Sequence, residues 1–170
     1  MKTIILTALL SGLLLFSCEE EKEKQLVLAG TLINNTNCKD NFKSAPGNKI
    51  TADSLSCIDY SYNKIKLTIK HINAGFNCCP EKLYCNISLV SDTIIIQEFE
   101  KSALCDCNCL YDLDIEISGV ETKKYILKLI EPYCGNQEKL IFEIDLTRET
   151  EGLYCVTRKQ YPWGIFSINN

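Results

Sequence analysis

The chain has 170 residues, and its 18 Lys and Arg against 22 Asp and Glu give a net charge of −4. Because the basic residues form no block and the balance is acidic, we do not expect nucleic acid as a partner. The sequence also lacks a glycine-rich phosphate loop, a nucleophile elbow and a histidine metal motif, so we predict neither an enzyme nor a cofactor.

Residues 1–17 have the pattern of a secretory signal peptide. Lys2 precedes an apolar run over residues 4–16, which is shorter than the about 20 residues that a membrane-spanning helix needs. Ser17 directly before Cys18 resembles the lipobox of bacterial lipoproteins, in which the chain is cut just before a cysteine whose thiol receives a diacylglyceryl group. The resemblance implies an acylated, palmitate-bearing Cys18 that anchors the protein in a membrane. An ordinary signal peptide that is cleaved nearby is the alternative.

Residues 18–25 are expected to form a tether between the anchor and the domain. Residues 19–25 contain no apolar side chain, and a charged run of this kind stays solvated because it has nothing to bury. The acidic start, Glu19 to Glu21, resembles the surface-export signal of lipoproteins from the Bacteroidetes group. This resemblance implies an outer-membrane protein that is exposed on the cell surface. A simple periplasmic spacer is an equally open interpretation.

Residues 26–170 are predicted to form a single β domain. Alternation of apolar and polar residues, which is typical of half-buried strands, occurs at residues 64–71, 105–117 and 140–146. Further strands are expected at residues 26–33, 84–90, 93–99 and 124–130, and weaker ones at 152–157 and 164–168. Short strands separated by turn signals, with no helical period in the mature chain, predict an all-β fold. We expect an antiparallel, immunoglobulin-like β-sandwich with disulfide staples.

The predicted strand at residues 105–117, which we call the organising strand, carries an unusual face. Cys105, Cys107 and Cys109 share that face with Tyr111 and three aliphatic residues. Neighbours on one face have parallel Cβ vectors, which is poor geometry for a bond between them. Each of the three thiols should therefore bridge to a different strand or loop.

An even number of cysteines in an exported chain argues for disulfides. With Cys18 assigned to lipid, the candidates are Cys38, Cys57, Cys78, Cys79, Cys85, Cys105, Cys107, Cys109, Cys134 and Cys155. We expect the organising strand to be pinned to the loops around Cys78, Cys79, Cys85 and Cys134. The alternative is a thiolate site for Cu(I) or Zn²⁺ on the Cys-x-Cys-x-Cys run. An oxidising compartment favours the disulfides, so we assign no metal ligand.

Three other sets of side chains are considered for function. Five carboxylates could line a Ca²⁺ site if two predicted strands were neighbours, although a solvated face among lysines is the favoured interpretation. They are Asp112, Asp114, Glu116, Glu143 and Asp145.

The single histidine, His71, is expected to be packed in the fold. Tyr154, Tyr161, Trp163 and Phe166 could form an aromatic platform for a sugar or peptide, but core packing is favoured.

Two cysteine patterns carry a resemblance of their own. The Cys-Cys-Pro at residues 78–80 and the Cys-x-Cys-x-Cys-Leu-Tyr-Asp-Leu at residues 105–113 resemble a pattern of uncharacterised small cysteine-rich lipoproteins of the Bacteroidetes group. The resemblance implies a place in the cell envelope and no chemistry. We therefore predict a non-catalytic binding or interaction module, held to the outer membrane by its N-terminal lipid, with an envelope protein or a glycan as its ligand. A thiolate metal-binding or redox protein is the alternative.

Overall fold

The computed structural model describes residues 27–39 and 55–159. Within those ranges the chain forms nine β-strands and no helix, so the all-β prediction is confirmed. The strands are β1 (Ala29–Asn35), β2 (Leu55–Tyr62), β3 (Lys66–Asn77), β4 (Pro80–Val90), β5 (Thr93–Ala103), β6 (Asn108–Ser118), β7 (Lys124–Ile130), β8 (Ile141–Asp145) and β9 (Glu151–Thr157). The described residues contain no helix that is long and apolar enough to cross a membrane. The predicted signal peptide, Cys18, the tether and the strand at 164–168 lie outside the described residues.

The strands form two sheets. The five-stranded sheet has the order β1-β6-β3-β2-β9 and is antiparallel, and the four-stranded sheet has the order β4-β5-β7-β8. The expectation of an entirely antiparallel fold is wrong at one place, because β5 and β7 pair in parallel. The reason is that β6, which lies between them in the chain, belongs to the other sheet. The chain therefore crosses over and returns as β7 in the direction of β5.

Strand β3 contains a β-bulge in its second half. The alternation predicted for residues 64–71 does not end the strand, because β3 continues to Asn77. Its register with β6 shifts between His71 and Ala74. Asn73 lies there with a φ of 62°. A bulge reverses the two-residue alternation, so the apolar side chains that pack in the two clusters are at odd positions before the shift (Leu67 and Ile69) and at even positions after it (Ala74 and Phe76). After the shift the alternate positions are buried as well, since β3 has no exposed residue from position 73 to its end.

The organising strand is confirmed in its second part and wrong at its start. The odd positions from Cys109 to Ile117 are buried along β6, as predicted. Cys105 and Cys107 instead precede the strand, because the ladder between β3 and β6 ends at the pair Asn77 and Asn108. Without a partner strand beyond that pair, the backbone before residue 108 has no ladder to join.

Buried apolar side chains form two clusters. The larger cluster draws on both sheets, with Ile69 and Ile117 from the five-stranded sheet and Ile96 and Leu127 from the four-stranded sheet. The smaller cluster lies at the end of β3 and the start of β6. It contains Ala74, Phe76, Leu83, Cys109, Tyr111 and Leu113. Along β3, the buried His71 lies between Ile69 of the larger cluster and Ala74 of the smaller one.

Candidate functional site

Eight of the ten predicted cysteines form disulfides. The pairs are Cys38–Cys109, Cys57–Cys155, Cys78–Cys107 and Cys79–Cys105. The three thiols of the organising strand thus reach different partners, two in the Cys78-Cys79 turn and one at Cys38. The expected bridges to the loops of Cys85 and Cys134 do not form, and both of these residues keep free thiols.

Two of the disulfides meet in space. The Sγ atoms of Cys38, Cys78 and Cys109 lie within 4.8 Å of one another, and Cys107 is bonded to Cys78. Three sulfur atoms are thus close to one another, and the fourth, that of Cys107, is joined to them through Cys78. They come from the residues after β1, from the turn after β3, and from the start of β6 with the segment before it. We call Cys38, Cys78, Cys107 and Cys109 the sulfur cluster.

Backbone hydrogen bonds hold these three segments together independently of the sulfur bonds. The amide of Lys39 donates to the carbonyl of Leu110 at 2.9 Å, and the amide of Cys78 donates to the carbonyl of Cys107 at 3.0 Å. The hydroxyl of Tyr111 donates to the carbonyl of Cys78 at 3.1 Å. None of these contacts involves a sulfur atom, so reduction of the disulfides does not itself break them.

The two free thiols have different surroundings. Cys85 lies opposite Glu98 in the sheet register. Burial, with a contribution from the Glu98 carboxylate, raises the pKa of the Cys85 thiol to about 11, which keeps it protonated and a poor nucleophile at neutral pH. Cys134 is 1% exposed, and its sulfur lies 2.9 Å from a guanidinium nitrogen of Arg158.

A second group of chemistry-bearing side chains is centred on His71, which is packed as predicted. Ser56 Oγ lies 2.9 Å from Nε2 of His71, and Oε1 of Glu98 lies 2.7 Å from Nδ1. This is the order of groups in a Ser-His-acid catalytic triad. Ser56 and His71 are 0% exposed and Glu98 is 2% exposed. Since a catalytic serine must touch its substrate, this geometry supports a structural role.

Arg158 extends the group around His71. One guanidinium nitrogen, Nη2, donates to both carboxylate oxygens of Glu131 at 2.7 Å and to Ser56 Oγ at 3.2 Å. Oε1 of Glu131 also lies 3.8 Å from Nε2 of His71. The side chains of Arg158 and Glu131 are 0% and 4% exposed. We call these five residues, Ser56, His71, Glu98, Glu131 and Arg158, the buried polar cluster.

Charge balance governs protonation in the buried polar cluster. The cluster contains two carboxylates, those of Glu98 and Glu131, and one permanent cation, Arg158. Its charges therefore balance when both carboxylates are ionised and His71 is protonated. Burial lowers the pKa of His71, but the charge and hydrogen bond of Glu98, together with the charge of Glu131, outweigh burial and raise that pKa. Burial also raises the pKa of Glu98, against the opposing effect of His71. The folded cluster therefore holds its protons more tightly than the same residues do in water.

Sequence patterns did not predict the buried polar cluster. Its members come from separate strands and loops, and sequence spacing does not bring them together. One signal was available in β5, where Ile94 and Ile96 are followed at the next inward position by Glu98. A carboxylate on the buried face of a strand needs a cationic or hydrogen-bonding partner. His71, which also lies on an apolar strand face, could have been proposed as the partner of Glu98.

The carboxylates considered for a Ca²⁺ site do not come together. They lie on β6 and β8, which belong to different sheets. Lysines on neighbouring strands pair with them: Lys66 lies 2.7 Å from Glu116, and Lys124 lies 3.2 Å from Glu143. These residues form the lysine-paired outer faces that sequence analysis favoured.

The C-terminal aromatic platform is only partly within the described residues. Tyr154 stacks on Phe142 with ring centroids 4.3 Å apart, and both rings pack against the larger apolar cluster. For Tyr154 the structure therefore shows core packing. Tyr161, Trp163 and Phe166 lie outside the described residues.

No protein family, characterised protein or solved structure matches the chain. Function must therefore be argued from the residues themselves.

Proposed function

We propose that the protein is a non-catalytic binding or interaction module, anchored by lipid in the outer membrane of a bacterial cell envelope. The observation that carries this proposal is the set of four disulfides. Because the cytosol keeps thiols reduced, a domain with this many bridged pairs is suited to an exported protein. The apolar run and the Ser17-Cys18 pair supply a route of export and an anchor.

The architecture supports an interaction role over a catalytic one. Within this proposal the two sheets form an immunoglobulin-like sandwich, which the apolar cluster shared by the two sheets supports. Ser56, His71 and Glu98, the groups arranged like a catalytic triad, are buried, whereas several large apolar side chains are exposed to solvent. Ile126, Ile130 and Ile141 of the four-stranded sheet are 42%, 38% and 44% exposed, and exposed apolar surface is typical of binding faces. The ligand would be an envelope protein or a glycan.

The anchor is tested by Cys18→Ala in the expressed full chain. We expect the variant to accumulate unprocessed or to leave the membrane fraction, because the thiol that carries the diacylglyceryl group is gone. Cell fractionation with immunoblotting and intact-mass measurement would show this. The matched control is Cys85→Ala, which removes a free thiol within the domain and should leave membrane retention unchanged.

A protease-protection assay on intact cells separates surface exposure from a periplasmic location. Replacement of Glu19, Glu20 and Glu21 by Ala should protect the protein from protease added to intact cells if the acidic run directs export to the surface. Unchanged protease sensitivity would reduce the run to a spacer. Normal retention of Cys18→Ala with cleavage at another residue would contradict the lipid anchor itself.

A further inference from the structure

We propose that the sulfur cluster is a redox-controlled metal site: two disulfides in the oxidised protein and a four-thiolate site for Zn²⁺ in the reduced protein. The ligands would be Cys38, Cys78, Cys107 and Cys109. This inference concerns the domain alone and does not depend on the lipid anchor or on the interaction role.

The spacing of the sulfur atoms fits a tetrahedral zinc site. Zinc–sulfur bonds of about 2.3 Å in a tetrahedron place neighbouring sulfurs about 3.8 Å apart. The sulfurs of Cys38, Cys78 and Cys109 already lie within 4.8 Å of one another, and Cys107 is bonded to one of them. Cys107 lies outside this group of three, so its side chain would have to rotate toward Cys38 and Cys109 once its bond to Cys78 is reduced.

The backbone around the sulfur cluster is organised without the disulfides. Ladder pairs between β3 and β6 extend as far as Asn77 and Asn108, beside Cys78 and Cys109. The amide of Lys39, next to Cys38, joins the backbone of β6 through its bond to Leu110. Apolar packing adds to these bonds, since Cys38 and Cys78 pack against the smaller cluster, of which Cys109 is a member. Reduction therefore leaves forces that return the four thiols to the same place.

The chemistry of the two states balances with a dithiol as the reductant. Each protein disulfide accepts two electrons and two protons, and each dithiol is oxidised to its own disulfide, so two dithiols yield four cysteine thiols. Binding of one Zn²⁺ forms four metal–sulfur bonds and releases the four thiol protons to water. The oxidised cluster has no thiol to deprotonate and would not take the ion.

The test uses Co²⁺ as a spectroscopic probe of the Zn²⁺ site. The purified protein is reduced with a dithiol, freed of it under nitrogen and titrated with Co²⁺. We expect the intense visible bands of tetrahedral thiolate-bound Co²⁺, saturating at one ion per chain and removed by one equivalent of Zn²⁺. The oxidised protein should give no such bands. Circular dichroism in the same samples should show Zn²⁺ raising the melting temperature of the reduced protein.

Two variants, each without one disulfide pair, make the test specific. Cys38→Ser/Cys109→Ser removes two of the proposed ligands and should abolish the bands. Cys79→Ser/Cys105→Ser removes a neighbouring pair outside the sulfur cluster and should retain them. Because both variants lose the same number of thiols, unfolding by reduction alone cannot explain a difference.

Three results would overturn the proposal. The first is the absence of thiolate bands in the reduced wild-type chain at micromolar Co²⁺. The second is retention of the bands in Cys38→Ser/Cys109→Ser, and the third is their loss in both double variants.

Discussion

The two apolar clusters of the domain are stabilised in different ways. The larger cluster is made of aliphatic and aromatic side chains from both sheets, among them Ile69, Ile117 and Leu127. The smaller cluster has six buried members, and two of the four disulfides, Cys38–Cys109 and Cys78–Cys107, have a cysteine in it or packed against it. Burial of apolar surface is the main driving force of folding, so the end of the domain with less of it relies more on covalent links.

The buried polar cluster lies where β3 passes from one apolar region to the other. His71 follows Ile69 of the larger cluster and precedes Ala74 of the smaller one. A buried polar group is costly unless it is paired, and here hydrogen bonds join His71, Ser56 and Glu98. The fold thus has three kinds of interior: an apolar one, an ionic one and one cross-linked by sulfur.

The largest expected effect on the free energy of unfolding comes from a substitution in the buried polar cluster. Arg158→Met should lower the free energy of unfolding by about 3–5 kcal/mol, because it leaves the Glu131 carboxylate buried without its cation. Urea unfolding measures the loss. The matched control is Arg148→Met, since Arg148 is 80% exposed and 3.6 Å from Asp145, and it should change stability by less than about 0.5 kcal/mol.

A second variant decides whether charge is the cause. Arg158→Met combined with Glu131→Gln removes both charges, so it should recover part of the stability that Arg158→Met loses. Equal losses in the single and the double variant would mean that packing of the arginine side chain, and not its charge, supports the fold.

The next effect concerns the interior that sulfur cross-links. Cys78→Ser/Cys107→Ser should cost about 2–4 kcal/mol, the usual contribution of a disulfide. Amide hydrogen exchange should quicken at residues 108–113 of β6 and stay slow at Ile115 and Ile117, which pack in the larger cluster. Equal acceleration along the whole strand would contradict the view that the two ends of the domain are stabilised differently.

The smallest expected effect is a pH dependence of stability that originates from His71. Because the folded pKa of His71 is raised above 6.5, its contribution to stability is complete below about pH 6.5 and is lost as the pH rises through the folded pKa. The raised pKa of Glu98 acts in the same direction, from 4.5 upward. The urea midpoint should therefore fall with rising pH. His71→Gln should flatten this slope, and an unchanged slope would assign the proton to another group.

The alternation of residues in single strands was readable from the sequence because it is a local property. A half-buried strand needs an apolar residue at every second position, and residues 66–71 and 109–117 show this directly. The prediction was wrong for Ile65, which precedes β3 and is 77% exposed. The bulge between His71 and Ala74 was not readable, because the register shift is defined only against the partner strand β6. The same holds for the start of β6, which depends on where β3 ends.

The sequence by itself determined the all-β class of the described residues and the expectation that cysteines form disulfides, since strand periodicity and thiol number are properties of the chain. Tertiary structure alone decided which cysteines pair, which two strands run in parallel and that Ser56, Glu98, Glu131 and Arg158 meet His71. These outcomes join residues far apart in the chain. They follow from how two sheets pack, because packing sets distances that sequence separation does not.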